Sequence, residues 1–339
     1  MTTSQPETLP LVSLCVAMRN EEAYIGECLD SILNQTYPQD KIEVFVADGL
    51  STDRSAEIVT CYAERHPNIH LLTNHRQTTP VAFNLGIKQA RGEFIGIASS
   101  HATLHPDYIT LAVRYALETE TDHIGGVVKA ISLTSVGQAI SLATSSPFGV
   151  GGARFRYATK PGYVDTIFMG LYRKEVFARI GLFDEELVRN QDDEFNYRLN
   201  AAGGNHYLHP DIMTTYYNRA TFKSLWKQYF QYGEWKVRVA QKVPNQIKPR
   251  HLIPFGFCCF LFGGGVLALV VSGLQLLWAF GLTFYVLTNL LVSFLLALSN
   301  GWRYLFLLPP AFLTLHLAYG LGFAKGIFRF GKYWFNFKP

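Results

Sequence analysis

Leu11-Val12-Ser13-Leu14-Cys15-Val16-Ala17-Met18-Arg19-Asn20-Glu21-Glu22 is an apolar, β-branched run that gives way abruptly to charge. A short apolar run without polar alternation reads as a strand covered on both faces, here Leu11–Ala17. Tyr24–Gln35 then carries helical spacing and stops before Tyr37-Pro38. Ile42–Ala47 repeats the strand signal, and Ser51 is placed to cap a helix over Thr52–Arg65. Ile69–Leu72, Pro80–Ala90 and Phe94–Ala98 continue as strand, helix and strand. A helix from Pro106 to Leu117 and a strand over His123–Ala130 follow. Strand–helix alternation with short loops predicts an α/β domain with a mostly parallel, Rossmann-like sheet and flanking helices. Ligands of such sheets bind at the carboxyl ends of strands.

Outward from this core the composition divides the chain. Of 339 residues 49% are hydrophobic and 17% charged, so a disordered chain is excluded. All 26 acidic residues precede position 251, and residues 1–218 hold 25 of them against 17 basic ones. That acidic head argues against a nucleic-acid partner. From Leu252 to Trp302 there is no Asp, Glu, Lys or Arg. These 51 residues are enough for two crossings of a hydrocarbon core about 30 Å thick, read as 252–274 and 276–298. A third apolar stretch, Tyr304–Ala324, contains Pro309-Pro310, which leaves open a re-entrant or interfacial segment.

Between head and membrane, 219–250 carries eight basic residues against Glu234. By the positive-inside tendency this puts the head of an integral membrane protein on the cytoplasmic side. The C-terminal tail, with Lys325, Arg329, Lys332 and Lys338, is basic too. Phe222, Leu225, Trp226, Tyr229 and Phe230 have helical spacing among lysines, which suits a helix in the headgroup region. The expected organisation is therefore a head over 1–218, a basic amphipathic segment over 219–250 and a membrane domain over 251–339. Leu9–Met18 has neither a basic n-region nor a cleavage site, so it is not read as a signal peptide. The five cysteines show no metal-type spacing and are expected to be reduced thiols.

Three loops at strand carboxyl ends hold the polar chemistry: Arg19-Asn20-Glu21-Glu22, Asp48-Gly49-Leu50-Ser51-Thr52-Asp53 and Ser99-Ser100-His101. The first has no glycine fingerprint, which excludes a dinucleotide site of the usual kind. These loops resemble a known family. Val12 through Glu22 and Val46 through Asp53 look like the opening of a family 2 glycosyltransferase. Arg91-Gly92-Glu93-Phe94-Ile95, with His101 and Pro106-Asp107-Tyr108, resembles the region of its metal motif. Gln191-Asp192-Asp193-Glu194-Phe195-Asn196-Tyr197-Arg198 resembles its acidic catalytic motif. Gly149 through Arg156 and Gln228 through Lys236 are similar to the succinoglycan-type exopolysaccharide glucosyltransferases.

The resemblance implies a GT-A fold and inverting transfer of one sugar from a nucleotide-diphosphate donor, UDP- or GDP-linked. The acceptor is lipid-anchored or hydrophobic, as in polysaccharide or glycolipid synthesis. Asp192 takes the place of the base, with Asp193 or Glu194 as substitutes, and Arg198 orients a carboxylate. Asn20, Glu21, Asp48, Ser99 and Ser100 fall on the nucleotide-sugar positions, although Gly49 replaces the second Asp many members have. His101 alone survives of the metal motif. One imidazole beside two hydroxyls suits Mn²⁺ better than Mg²⁺, and metal-independent transfer stays open. Arg154 and Arg156 are candidate phosphate or acceptor contacts, and Gln231 and Trp235 candidate acceptor contacts, with Trp235 either stacking on sugar or lying at the lipid boundary. Glu234 stands where processive members carry Arg, so no polymerisation is inferred. The alternative is a catalytically degenerate membrane scaffold that binds nucleotide sugar or partner enzymes.

Overall fold

The computed structural model describes residues 9–218 and 220–334; Arg219 and Lys338, counted above, lie outside them. In chain order the principal elements are β1 (Val12–Met18), α1 (Ile25–Leu33), β2 (Ile42–Asp48), α2 (Ser55–Arg65), β3 (Ile69–Thr73), α3 (Thr79–Gln89) and β4 (Phe94–Ser99). They continue as β5 (Ala102–Leu104), α4 (Tyr108–Glu118), β6 (His123–Ile131), α5 (Ser135–Thr144), α6 (Pro147–Val150), β7 (Gly162–Val164), β8 (Gly170–Arg173), α7 (Lys174–Ile180), α8 (Gln191–Ala201) and β9 (His206–Tyr217). The last are α9 (Phe222–Lys242), α10 (Pro249–Cys258), α11 (Gly265–Val270), α12 (Leu274–Asn300) and α13 (Leu308–Arg329).

The chain folds as two compact units, and the division is not the contiguous one drawn above. One unit comprises 1–129 and 158–216, the other 130–157 and 217–339. The segment 130–157 joins the C-terminal helices because α5 has an apolar face to bury there. Ala139, Ile140 and Ala143 form a core with Leu225 of α9, Ala297 of α12 and Leu308, Ala311, Phe312 and Leu315 of α13. Close side-chain packing holds these helices together, and no charge pattern advertises it.

In the first unit nine strands form one sheet in the order β3-β2-β1-β4-β8-β6-β9-β5, with β7 on β9. β3, β2, β1 and β4 run parallel. Beyond β4 the register reverses: β8 pairs antiparallel with both β4 and β6, and β5 and β7 pair antiparallel with β9. Val12, Leu14 and Val16 face one apolar core with α1 and α4, and Cys15 faces the other with Phe83, Tyr172 and Phe195. This two-sided burial is what the uninterrupted apolar reading of β1 requires.

In the second unit three helices are long and apolar enough to cross a membrane: Pro249–Val270, Leu274–Asn300 and Leu308–Arg329. The first is α10 and α11 joined through a π turn at Cys259–Gly264. Pro309 and Pro310 do not interrupt the third; they stand in the first turn of α13, where the missing N–H groups have no intrahelical partner to lose. The aromatic side of α9 also differs from its reading. Leu225 is fully buried, with Phe222 and Tyr229 packed on the same core, while Lys223, Trp226 and Lys227 are the exposed positions. Part of the aromatic stripe therefore serves helix packing, leaving Trp226 and the lysines outside.

Candidate functional site

The strand register sets the site. Met18, the last residue of β1, lies opposite Asp48 of β2, and Ala17 lies opposite Ser99 of β4. Neighbouring strands are about 5 Å apart, so the three loops that follow must converge. Their side chains close the gaps. Asn20, with φ +54°, takes a left-handed turn that a short amide tolerates, and its Oδ1 accepts from Thr52 N at 2.8 Å. Asn20 N donates to Ser51 Oγ at 2.8 Å, Glu21 N to Ser55 Oγ at 2.7 Å and Glu22 N to Asp53 Oδ2 at 3.1 Å.

Asp48 is nearly buried, at 8% exposure. Its carboxylate accepts from Ser51 Oγ at 2.5 Å and Ser51 N at 3.2 Å. Ser51 is therefore not the cap of α2. That helix begins at Ser55, whose N–H and hydroxyl donate to Asp53 Oδ1 at 3.0 and 2.5 Å. Ser51 lies four residues upstream of the helix start, and its Oγ accepts from Asn20 N instead.

Ser100 and His101 form the tight turn between β4 and β5, with Ser100 buried. His101 Nδ1 lies 2.9 Å from Glu21 Oε1, and Ser99 Oγ lies 3.2 Å from both ring nitrogens. The ring meets Tyr216 edge-on at 4.8 Å. Among the described residues no three His, Cys, Asp or Glu come together as a metal site. What is present is an imidazole oriented by a carboxylate, the arrangement that fixes the tautomer of a metal-ligating histidine and directs its other nitrogen to the ion. The donor set thus fits a cation that takes its remaining oxygens from a bound diphosphate.

The acidic helix α8 starts after Asn190, whose backbone is left-handed at φ +59°. Asp192 and Asp193 occupy its first turn, where the helix dipole favours negative charge. Glu194 is spoken for. It is buried at 4% and grips Arg198 twice, Nε to Oε1 at 2.9 Å and Nη2 to Oε2 at 3.0 Å. Arg198 also donates to the carbonyls of Ile180 and Leu182. The carboxylate that Arg198 orients is Glu194, while Asp192 and Asp193 precede it in the same first turn.

Beneath α8 lies a buried network with no forewarning in the sequence. Asn196, fully buried, donates to Thr166 Oγ1 at 2.9 Å and to the Ile167 carbonyl at 2.8 Å, and accepts from Tyr172 Oη at 2.7 Å. His206 Nε2 sits 3.1 Å from the Asn196 carbonyl and its Nδ1 2.8 Å from His123 Nδ1. The His123 ring stacks on Tyr172 at 3.6 Å. Burial, then the charge of Asp192, holds the Tyr172 hydroxyl well above the usual phenol range. The sequence signal for Asn196 was its place inside the acidic motif; for the two histidines, far apart in the chain, there was none.

The acceptor candidates belong to the second unit. Arg154 and Arg156 form a half-buried 3₁₀ turn after α6. Gln231 is half-buried on α9. Trp235 is 9% exposed. Its ring lies 5.3 Å from Phe330 and under the Arg329 guanidinium at 5.1 Å. Glu234, in the place of the processive members' Arg, pairs with Lys325 at 3.2 Å and Arg329 at 2.8 Å. The Gln-x-x-Glu-Trp element is a packing seam between α9 and α13, because a buried carboxylate needs cations and α13 supplies them.

A parallel half-sheet with acidic strand-end loops, an antiparallel half and an acidic helix start define a GT-A glycosyltransferase. Residues 13–181 match the profile of glycosyl transferase family 2, and the chain belongs to that family. It is 28% identical over 326 residues to a dolichyl N-acetyl-α-D-glucosaminyl phosphate 3-β-D-2,3-diacetamido-2,3-dideoxy-β-D-glucuronosyltransferase of Methanococcus voltae, covering 94% of this chain and 97% of that one. It is 27% identical over 320 residues to succinoglycan biosynthesis protein ExoA of Rhizobium meliloti, covering 92% and 94%. In fold it is similar to the mannosyltransferase PcManGT of Pyrobaculum calidifontis, solved with GDP-Man and Mn²⁺. The TM-score there is 0.64 at 20% identity, over 94% of this chain and 89% of that chain.

Proposed function

We propose that this glycosyltransferase transfers one sugar, with inversion, from a UDP- or GDP-sugar to a lipid-linked acceptor at the cytoplasmic face of the membrane. The observation that carries the reading is the convergence of Asn20, Glu21, Asp48, Ser99 and His101 on adjoining strand ends of the same unit that presents Asp192 and Asp193. Relatives matched over nearly their whole length work on a dolichyl phosphate-linked sugar and in succinoglycan biosynthesis, which supports a lipid-linked acceptor.

In the proposed mechanism the Asp48 carboxylate, aimed by Ser51, contacts the ribose or base, and Ser99 and the buried Ser100 line the same wall. Asp192 accepts the proton of the acceptor hydroxyl as that oxygen attacks the anomeric carbon from the face opposite the departing diphosphate. His101, oriented by Glu21, and the donor's phosphates would hold a divalent ion, Mn²⁺ better than Mg²⁺, which neutralises charge on the leaving diphosphate. A helix-rich membrane unit keeps a lipid-borne acceptor at high effective concentration.

The test is a donor screen: purified full-length protein, UDP- and GDP-sugars, a membrane lipid extract as acceptor and mass spectrometry of the lipid product. A glycosylated lipid that disappears in Asp192→Asn is the expected result. Donor turnover with no lipid product from any donor would sink the acceptor class.

A further inference from the structure

The turn that carries Arg154 and Arg156 is built into the second unit with more care than a solvated loop needs. At its start, the Phe148 carbonyl accepts from or faces His316 Nε2 of α13 at 2.8 Å, and His316 Nδ1 lies 3.0 Å from Tyr285 Oη of α12. A histidine committed within an apolar span is costly and marks function more often than packing. At its middle, Gly151 has φ +60°, a left-handed conformation that favours glycine. A Cβ on Gly152 would stand 2.8 Å from Arg250 Nη1 of α10, and one on Gly151 3.5 Å from Arg250 Cβ. Gly152 therefore makes room for the Arg250 guanidinium, while at Gly151 a Cβ would only touch the Arg250 side chain and glycine is called for by the positive φ. Arg154 N then donates to the Gly152 carbonyl at 2.8 Å, and Tyr157 Oη closes the turn on the Gly151 carbonyl at 2.7 Å. Residues of α10, α12 and α13 thus fix one short turn, and the guanidinium of Arg250 is set against the residue where the Arg154–Arg156 turn begins.

From these contacts we infer that Arg250, Arg154 and Arg156 form a subsite for the phosphate or diphosphate of a prenyl lipid, the anchor of the acceptor; the inference rests on the lipid-acceptor reading above. Three features select that ligand. Planar guanidinium forks match phosphate oxygens better than lysine ammonium groups do. The unit is strongly cationic: its stretches 130–157 and 217–339 hold 15 Lys and Arg against one carboxylate, Glu234, and Glu234 is already paired with Lys325 and Arg329. Finally, Arg250, whose Nε donates to Nε2 of the buried His251 at 3.2 Å, stands in the first turn of a span in which Leu252 and Ile253 are 45% and 66% exposed. Positive charge followed at once by exposed apolar surface is complementary to a phosphate followed at once by a hydrocarbon chain.

The test is calorimetric binding to the full chain in neutral detergent, with farnesyl diphosphate, farnesyl phosphate, farnesol and inorganic pyrophosphate as probes, and phosphatidylglycerol micelles as competitor. Farnesyl diphosphate and farnesyl phosphate are expected to bind at least tenfold more tightly than farnesol. Arg250→Gln and Arg154→Gln/Arg156→Gln should each lose about tenfold for the phosphorylated probes and nothing for farnesol, with Lys88→Gln as the neutral control. Gly152→Ala keeps every charge and moves only the flexible end of Arg250, so a several-fold loss there ties the effect to placement, even if an arginine variant folds poorly. Farnesol binding as well as its phosphates, or both arginine variants binding as wild type, overturns the subsite. Pyrophosphate matching farnesyl diphosphate, or phosphatidylglycerol displacing it at equal concentration, overturns its assignment to a prenyl lipid. Binding is scored without turnover, so a failed acceptor reading, seen as no lipid product, stays distinguishable from a failed subsite.

Discussion

Glu21 Oε1 lies 2.9 Å from Nδ1 of His101, eighty positions further along the chain. The contact joins the loop after β1 to the turn after β4, and puts a carboxylate behind the imidazole of His101. Losing such a partner typically costs ten- to a hundredfold in metal affinity or activity. Glu21→Gln should therefore lower kcat/KM by about that factor and move Mn²⁺ activation to higher concentration. Donor turnover that is unchanged by EDTA, in wild type and variant alike, would remove the metal from the mechanism.

Asp192→Asn should cut transfer by roughly a hundred- to ten-thousandfold, the usual contribution of a positioned base. UDP or GDP binding should persist, since the nucleotide residues lie on other loops. Asp193→Asn should cost less. If Asp193→Asn is the dead variant and Asp192→Asn the active one, the two exchange roles.

Arg198→Ala leaves Glu194 buried and without its fork, as well as two carbonyls without a donor. Breaking a buried pair in this way costs about 3–5 kcal/mol, so thermal unfolding should move down by several degrees. The double variant Glu194→Gln/Arg198→Met should recover much of the loss. A single variant as stable as wild type would show that solvent replaces the pair freely.

Burial brings the His206 imidazole down to about 4 and holds His123 well below its ordinary value, the nearby His206 adding to the effect. The unfolded chain then binds these protons more tightly than the folded one. The stabilisation is complete above the unfolded value of about 6.5 and is lost as pH falls through it toward 4. The melting temperature should decline over that window, and His206→Gln should flatten the slope. A melting temperature constant from pH 7 to 4 would contradict the paired, neutral state of the two histidines.

A Cβ on Gly233 would sit 2.0 Å from the Tyr319 carbonyl oxygen and 2.8 Å from Phe323 N, both main-chain atoms of α13. Gly233→Leu should force α9 away from α13 and expose 222–242 to trypsin in detergent. Cleavage indistinguishable from wild type would mean the seam yields without cost.

Several features were legible without coordinates because they depend on local rules. The strands β1 through β4 follow from apolar runs bounded by polar turns, the long apolar helices from a charge-free stretch, and the loops Asn20-Glu21, Asp48 and Ser99-Ser100-His101 from their places after strands. The acidic start of α8 was equally visible. Helix caps were less so: Ser51 satisfied the local rule for α2, but the helix begins at Ser55 and the Ser51 oxygen accepts from Asn20 N across the loops.

What the tertiary structure alone decided is every feature that joins distant positions. Glu21 with His101, Glu194 with the carbonyls that Arg198 bridges, His123 with His206, and Glu234 with Lys325 and Arg329 are set by strand order and helix packing. So is the transfer of 130–157 to the membrane-helix unit, where α5 found an apolar partner. Periodicity and composition report on a residue's immediate neighbours. A buried charge or imidazole is satisfied by whichever group the fold brings within 3 Å, and sequence distance carries no information about that.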